Sequence, residues 1–393
     1  MKKRKITMVT LLLLITILIT TCSTQAVVSS STSPTESSSS KITVTDLAGE
    51  TYTFDKPLES VIISWSGSGG PFMTMSALLG KDVWKYIAGM DDGLTVNRID
   101  VYEQYLKTVP ELADIPIFGG IGTENFNLEA AMASGADAVI IPIGLQKTVQ
   151  ENIQPKLEAA GIPVLYVVDY HAETIENHAK STELLGKLFG KEERAEELID
   201  FYTSHVTKVY DKVEKILKTE DRPRVYIEGG PSSPDKYGNS YASDYMWGGI
   251  CQNVGGYSIA GDVLQPGTWG IVEPEFVLSS NPDKIIFLGA YFANAPETIR
   301  LGFWADEESI KERVAAYLER PGYDELNAVK NGEVYLIHQG LGREMYDCAS
   351  IEAFAKYIFP EYFEDLDPTE TLREYYETFL PYEFGGIWYL KYD

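Results

Sequence analysis

Cysteine is scarce in this chain. The 393 residues hold three, Cys22, Cys251 and Cys348, which excludes a disulfide-dense scaffold and an iron–sulfur centre built on several thiolates. Cys251 and Cys348 have no metal-knuckle spacing; one disulfide between them and two separate buried thiols are both compatible with the sequence. Histidine is nearly as rare. His171, His178, His205 and His338 are too scattered to read as a zinc or manganese cage, and His178 and His205 fall in helical patterns as core or surface residues. Positive charge is also short: 33 Lys+Arg face 58 Asp+Glu, a net charge of −25, so the basic field that nucleic-acid binding needs is missing. There is no Gly-x-Ser-x-Gly elbow and no Walker-type loop. The one Gly-rich turn, Ser66-Gly67-Ser68-Gly69-Gly70, lacks the Gly-x-Gly-x-x-Gly order and runs into Pro71, so it reads as a flexible ligand loop rather than a phosphate cradle. Apolar residues are not lacking. At 44% hydrophobic and 12% aromatic the chain can build sizeable cores and is not a disordered or fibrous protein.

The N-terminus reads as a targeting device. Lys2, Lys3, Arg4 and Lys5 precede an uncharged, mostly apolar run over 6–19, a signal-peptide pattern too short for the ~20 residues of a membrane span. It ends at Leu18-Ile19-Thr20-Thr21-Cys22, similar to a lipobox in which Cys22 becomes the lipidated first residue. Thr21 stands where Gly, Ala or Ser is usual, and an ordinary secretory signal with an incidental cysteine is the alternative. Residues 29–40 are nearly all Ser, Thr and Pro, the composition of a flexible tether. The expected organisation is a signal peptide over 1–21, lipidated Cys22 and tether over 22–40, an N-terminal α/β lobe over 41–175, a helical connection over 176–220, and a C-terminal α/β lobe with an aromatic, acidic tail over 221–393.

From Lys41 onward, short β-branched runs alternate with helical patterns. Strands are expected over 61–64, 117–118, 138–141 and 164–168 in the first half, and over 224–228, 284–288 and 333–337 in the second. This alternation implies parallel, doubly wound sheets. Between the halves, Ala195, Leu198, Tyr202, Val206, Val209, Val213 and Leu217 recur every three or four positions, predicting one amphipathic helix over 191–218. Pro223 disfavours helical geometry at Arg222 and ends that element sharply.

An internal repeat accompanies this pattern. At a constant offset of 146 residues, Glu129 meets Glu275, Ser134 meets Ser280, Asp137 meets Asp283 and Ile140 meets Ile286. In each copy an acid opens a helix, and a turn ending in Asp feeds an apolar strand. So long a period excludes a solenoid and implies two equivalent lobes.

Several segments together resemble the substrate-binding lipoproteins of ABC importers, specifically the Fe/B12 periplasmic-binding family that serves ferric siderophores, heme and cobalamin. They are Asp46-Leu47-Ala48-Gly49-Glu50 with Pro57 and Val61-Ile62-Ile63, Asn127-Leu128-Glu129 through Ala138-Val139-Ile140, Gly255-Gly256-Tyr257-Ser258-Ile259-Ala260, and Pro274-Glu275 through Pro282-Asp283-Lys284-Ile285-Ile286. Ser258 stands where the family commonly has Asn. The resemblance implies a type III periplasmic-binding fold: two Rossmann-like lobes joined by one long helix, with the ligand cleft between them. It further implies an extracytoplasmic, lipid-anchored monomer that is not an enzyme, has no intrinsic cofactor, and hands its ligand to an ABC permease dimer with a cytoplasmic ATPase. The expected ligand is an iron(III) chelate of siderophore type. Alternatives are cobalamin, heme or another metal chelate, then an adhesion lipoprotein or a chelate-modifying enzyme. Glu129 and Glu275 match the family's paired docking glutamates, which enter arginine pockets on the permease; as first-turn acids they would also be favoured by the helix dipole alone.

Ligands of open α/β sheets bind beyond the carboxyl ends of the strands. The cleft candidates are therefore Trp65 and Ser66 after the first strand, Tyr170 and His171 after 164–168, Tyr237 and Tyr241 after 224–228, Tyr291 after 284–288, His338 and Arg343 after 333–337, and Trp269 before the second glutamate helix. Aromatic rings offer contact area at low entropic cost to a large, flat ligand, Arg343 suits an anionic chelate, and a Tyr or His could coordinate iron. The tail over 361–393, with Tyr375, Tyr376, Tyr382, Trp388 and Tyr389, reads either as a strap on the second lobe or as an adhesive surface.

Overall fold

The computed structural model describes residues 41–171 and 174–393; the expected signal peptide, Cys22 and the expected Ser-rich tether lie outside the described residues. No helix among the described residues is long and apolar enough to cross a membrane.

A hairpin of β1 (Ile42–Thr45) and β2 (Thr51–Phe54) precedes the first sheet, made of β3 (Val61–Ile63), β4 (Ile87–Gly89), β5 (Ala138–Pro142) and β6 (Val164–Val168). These four run parallel in the order β4-β3-β5-β6. The second sheet collects β7 (Arg224–Glu228), β9 (Tyr257–Ser258), β11 (Lys284–Gly289), β12 (Val334–His338) and β13 (Tyr389–Lys391) in the order β13-β12-β11-β7-β9, with only β13 antiparallel. Two short strands, β8 (Asn239–Tyr241) and β10 (Trp269–Ile271), pair beside it. The parallel strands read as continuous apolar runs because both faces are covered. Residues 117–118 do not form a strand of their own. Ile117 makes one isolated bridge to Met90 before Gly119 turns the chain at positive φ.

The offset-146 repeat has a physical basis. Helix α1 (Leu128–Ala133) is capped by the Asn127 side chain and leads to β5; helix α2 (Pro274–Ser280) opens on Pro274 and leads to β11. In the first lobe Asp137 Oδ2 accepts from Glu59 N at 2.8 Å and Ser60 N at 2.9 Å, just before β3. In the second, Asp283 Oδ2 accepts from Arg224 N at 2.8 Å, at the start of β7. Each aspartate thus fixes the entry of the neighbouring parallel strand.

The connection comprises two helices. Ile175–Phe189 ends at Gly190 in the left-handed region, and the longer Glu192–Ile216 follows at once. Its 25 residues span about 38 Å at ~1.5 Å each. The predicted stripe is buried from Ala195 to Val213, with Ile216 rather than Leu217 completing it. One apolar core runs from Val61 and Ile140 of the first sheet, through Leu198, Val206 and Val213 of the long helix, to Val225 and Ile286 of the second. The outer faces of the two sheets have separate, smaller cores. Cys251 and Cys348 are buried free thiols, not a disulfide.

The tail is a strap. Helix Pro368–Phe379 lays Tyr375 and Phe379 on Phe201 of the long helix, Tyr382 packs on Tyr105 of the first lobe at 4.3 Å, and β13 then extends the second sheet. It therefore joins both lobes, not the second alone.

Candidate functional site

Between the lobes lies a cavity of about 350 Å³. It is built from loops at the carboxyl ends of the strands. The first lobe contributes Trp65, Gly67, Ser68, Asp91, Asn97, Arg98 and His171, and the second contributes Gly230, Pro231, Asn239, Tyr241, Tyr245, Met246, Trp269, Phe292, Gln339 and Arg343.

Four rings form a file across it. Trp65 meets His171 edge-on at 5.0 Å, His171 stacks on Tyr245 at 5.4 Å, and Tyr245 stacks on Trp269 at 5.8 Å. Trp269 is 57% exposed at the mouth, so the file runs from the interior to solvent. Three of the four described non-glycine residues at positive φ line this cavity: Trp65 (59°), Met246 (47°) and Arg343 (67°). Strained backbone of this kind persists only where its surroundings over-determine it, and it concentrates at ligand sites. The fourth, Asn281, caps the end of α2, where Asn is tolerated.

Among the described residues the free charge in the cavity is positive. Arg98 is fully buried; its Nη1 donates to Tyr346 OH at 2.7 Å, while Nε and Nη2 have no partner among the described residues. Arg343 Nη1 donates to His171 Nε2 at 3.2 Å, and its Nε is likewise unpartnered. Because guanidinium can only donate, His171 accepts at Nε2. Burial, reinforced by Arg343, holds that imidazole well below its ordinary pKa and therefore neutral. Among the described residues the one acid lining the cavity is spent on its own lobe: Asp91 Oδ2 accepts from Trp65 N and Ser64 Oγ, and Oδ1 from Ser66 N, Ser66 Oγ and Gly93 N. Beneath Arg343, Glu344 is buried; burial pushes its carboxyl up to about 8, against the opposing pull of Gly69 N–H, Arg98 and Arg343.

Of the ten candidates from sequence, Trp65, His171, Tyr241, Trp269 and Arg343 line the cavity. The other five sit elsewhere. Ser66 turns away to Asp91. Tyr170 is in the core, bonded to Thr74 and Thr182. Tyr237 lies over the Arg320 guanidinium at 4.1 Å. Tyr291 packs edge-on against Trp304, under Arg300. His338 is buried against Trp388, and its Nδ1 accepts from Gly340 N. His178 is buried between Thr174 O and Asp347, and half-buried His205 meets Glu352. The Gly-rich turn is pinned rather than loose: Gly69 N donates to Glu344 Oε1 at 2.9 Å and Ser68 Oγ to Gly342 O at 3.4 Å, both across the cleft. Arg98, Tyr245 and Met246 escaped the reading because none directly follows a strand; Gln339 and Phe292 do follow β12 and β11 and were passed over for their neighbours His338 and Tyr291. Arg98 had one visible signal: it is the sole base in 86–106, a segment with four acids. Among the described residues no group of three His, Cys, Asp or Glu is placed to hold a metal ion. Glu129 and Glu275 are exposed on the first turns of α1 and α2.

Two parallel-sheet lobes with a cleft at their strand ends define a solute-binding architecture. The family model for periplasmic binding proteins matches residues 122–341, more than half of the chain, and the chain belongs to that family, the extracytoplasmic solute-binding components of ABC transporters. Its structure is similar to the TroA-like periplasmic binding protein FepB of Veillonella parvula, with TM-score 0.84 and 44% identity over 90% of this chain and 100% of that one. The sequence is 26% identical over 287 residues to YvrC of Bacillus subtilis, an uncharacterized ABC transporter substrate-binding lipoprotein, covering 71% of this chain and 77% of the relative. It is 21% identical over 327 residues to the molybdate-binding protein MolA of Haemophilus influenzae, covering 78% and 83%.

Proposed function

We propose that this protein captures an anionic iron(III) chelate of siderophore type outside the cytoplasm and delivers it, as a monomer anchored through Cys22, to an ABC permease dimer powered by a cytoplasmic ATPase. The observation that carries the reading is the file of four rings beside two arginines that keep N–H groups without a partner among the described residues, Arg98 at Nε and Nη2 and Arg343 at Nε. Flat ligand faces suit the rings, and delocalised negative charge suits guanidinium donors. A metal arriving inside a chelator brings its own ligands, which fits a cavity without a cluster of protein donors. A small oxyanion such as molybdate would use the arginines and leave the rings idle. No reaction is assigned to the site.

Trp65 and Trp269 make the site its own reporter. Tryptophan fluorescence of residues 41–393 is titrated with ferric catecholate, hydroxamate and citrate chelates, heme, cobalamin, molybdate and free Fe³⁺, Zn²⁺ and Mn²⁺, with inner-filter effects controlled. The expected outcome is saturable, sub-micromolar quenching by one ferric chelate, weakened about tenfold or more in Arg98→Met or Arg343→Met, since removing one partner of a buried charged contact costs on the order of 2–5 kcal/mol. Saturation by molybdate or a bare ion alone, or silence across the panel, overturns the iron-chelate reading.

A further inference from the structure

Part of the second-lobe wall of the cavity is the 229–238 loop between β7 and β8, which presents Gly230 and Pro231, with Asn239 at its end. Its sequence is Gly-Gly-Pro-Ser-Ser-Pro-Asp-Lys-Tyr-Gly; the first half is held by Gly230 N on Gln339 Oε1 (2.7 Å), the Gly229–Asn239 backbone pair and Ser232 N on Thr298 Oγ1 (3.1 Å). The second half is anchored from behind. Arg320 follows the helix Glu307–Leu318, and all five of its N–H donors find acceptors: Nη1 on Glu228 Oε2 (2.6 Å) and Tyr323 OH (3.2 Å), Nη2 on Glu228 Oε1 (2.9 Å) and Ser233 O (2.8 Å), Nε on Pro234 O (3.0 Å). Glu228, the last residue of β7, also accepts from Gly238 N at 2.9 Å. The Tyr237 and Tyr317 rings lie over the guanidinium at 4.1 and 4.6 Å. The pair thus holds the loop backbone at Ser233, Pro234 and Gly238, and Tyr237 of the loop closes over it. Neither Glu228 nor Arg320 lines the cavity.

We propose that Arg320 and Glu228 are positioning residues for the ligand: they fix the Gly230–Pro231–Asn239 wall before binding, so that affinity depends on a pair the ligand never touches. The claim rests on the reading of this cavity as the ligand site. A buried ion pair is weak evidence for net stability, whereas ordering a wall in advance removes a cost from binding. The first lobe uses the same device, with Asp91 collecting the amides of Trp65, Ser66 and Gly93 on its own wall. Lysine cannot replace Arg320, because it lacks the planar fork that reaches a carboxylate and two carbonyls together.

The test has two readouts on Arg320→Lys and on the milder Tyr237→Leu, which only uncovers the guanidinium. In the ligand-free protein, hydrogen exchange at Gly238 and Asn239 should accelerate about tenfold or more in Arg320→Lys, with the amides of Glu192–Ile216 unchanged; Tyr237→Leu should show a smaller rise at the same sites. Using ferric tris-catecholate as probe, affinity should fall about tenfold or more in Arg320→Lys through faster dissociation, and about threefold in Tyr237→Leu. Unchanged loop exchange, exchange rising equally in the long helix, or wild-type affinity in both variants would each overturn the proposal. If the wild-type protein binds neither this probe nor the ferric hydroxamate or citrate chelate, the ligand reading fails, and the exchange arm still decides whether the pair positions the wall.

Discussion

Glu344 shows how one buried side chain can tie the cleft to pH. Its Oε1 accepts from Gly69 across the lobes, its Oε2 has no partner among the described residues, and burial raises its carboxyl to about 8. Between the ordinary carboxylate range and pH 8 the folded chain keeps a proton that the unfolded chain releases. Stability contributed by this group therefore declines as pH rises through that window, by at most about 1.4 kcal/mol per pH unit. His171 and His338 are held well below their ordinary values by burial; their contribution is present above ~6.5 and is lost as pH falls below it. The two trends separate at that value. Glu344→Gln should flatten the decline in urea-unfolding free energy from pH 6.5 to 8 and leave the acid limb intact; an undiminished slope in the variant would refute the assignment. At this scale the sequence was half legible. Trp65, His171 and Arg343 follow strands and could be named from topology, whereas Arg98 and Tyr245 reach the cleft from irregular segments whose path no periodicity encodes. Tyr170 follows a strand and His338 ends one, but their side chains point into the core, a choice of face that the rule of strand ends does not make.

Elements were read more completely than residues. The longer parallel strands are short apolar runs, and β5, β6, β7 and β11 are entered from Asp or Pro; the long helix carries its stripe openly, so both appear in local pattern. By contrast β4 and β9, three and two residues long, are too short to show and escape the reading. The tail does not, because its role depends on partners far away in the chain. Trp388 is 1% exposed, packed among Phe303, Tyr376 and His338, with Nε1 donating to Gly385 O at 2.7 Å. It seats β13 on β12 just before the loop that carries Arg343. Trp388→Ala should cost about 3–5 kcal/mol, the usual range for deleting a buried large aromatic, as measured by urea unfolding. A loss under about 1 kcal/mol, the scale of an ordinary surface substitution, would mean that the strap is decoration rather than part of the core.

At the scale of the whole molecule, the shared core and the strap argue against large hinge motion. An interface as extensive and apolar as the one along Glu192–Ile216 joins domains tightly. A rigid two-lobed carrier presents its outer features at a fixed spacing whether loaded or empty, which is what the proposed docking role of the paired glutamates requires. Glu129 and Glu275 occupy equivalent first turns, each followed by a strand whose neighbour is fixed by Asp137 or Asp283. Two carboxylates held by one pseudo-symmetric frame can meet two equivalent basic pockets on a two-fold partner, and bidentate arginine pairing fixes orientation as well as adding energy. Both are exposed and lie outside the cavity lining, so docking and ligand capture should separate cleanly. Glu129→Ala with Glu275→Ala should leave chelate affinity within about twofold of wild type, since exposed substitutions away from a site usually act within ±0.5 kcal/mol, and should abolish uptake of the iron-59 chelate by cells that carry the cognate permease. Either single variant should retain partial uptake, because one anchored lobe still raises the effective concentration of the other at its pocket. Uptake unchanged in the double variant would remove the docking role and leave the two glutamates as helix-opening acids favoured by the dipole alone.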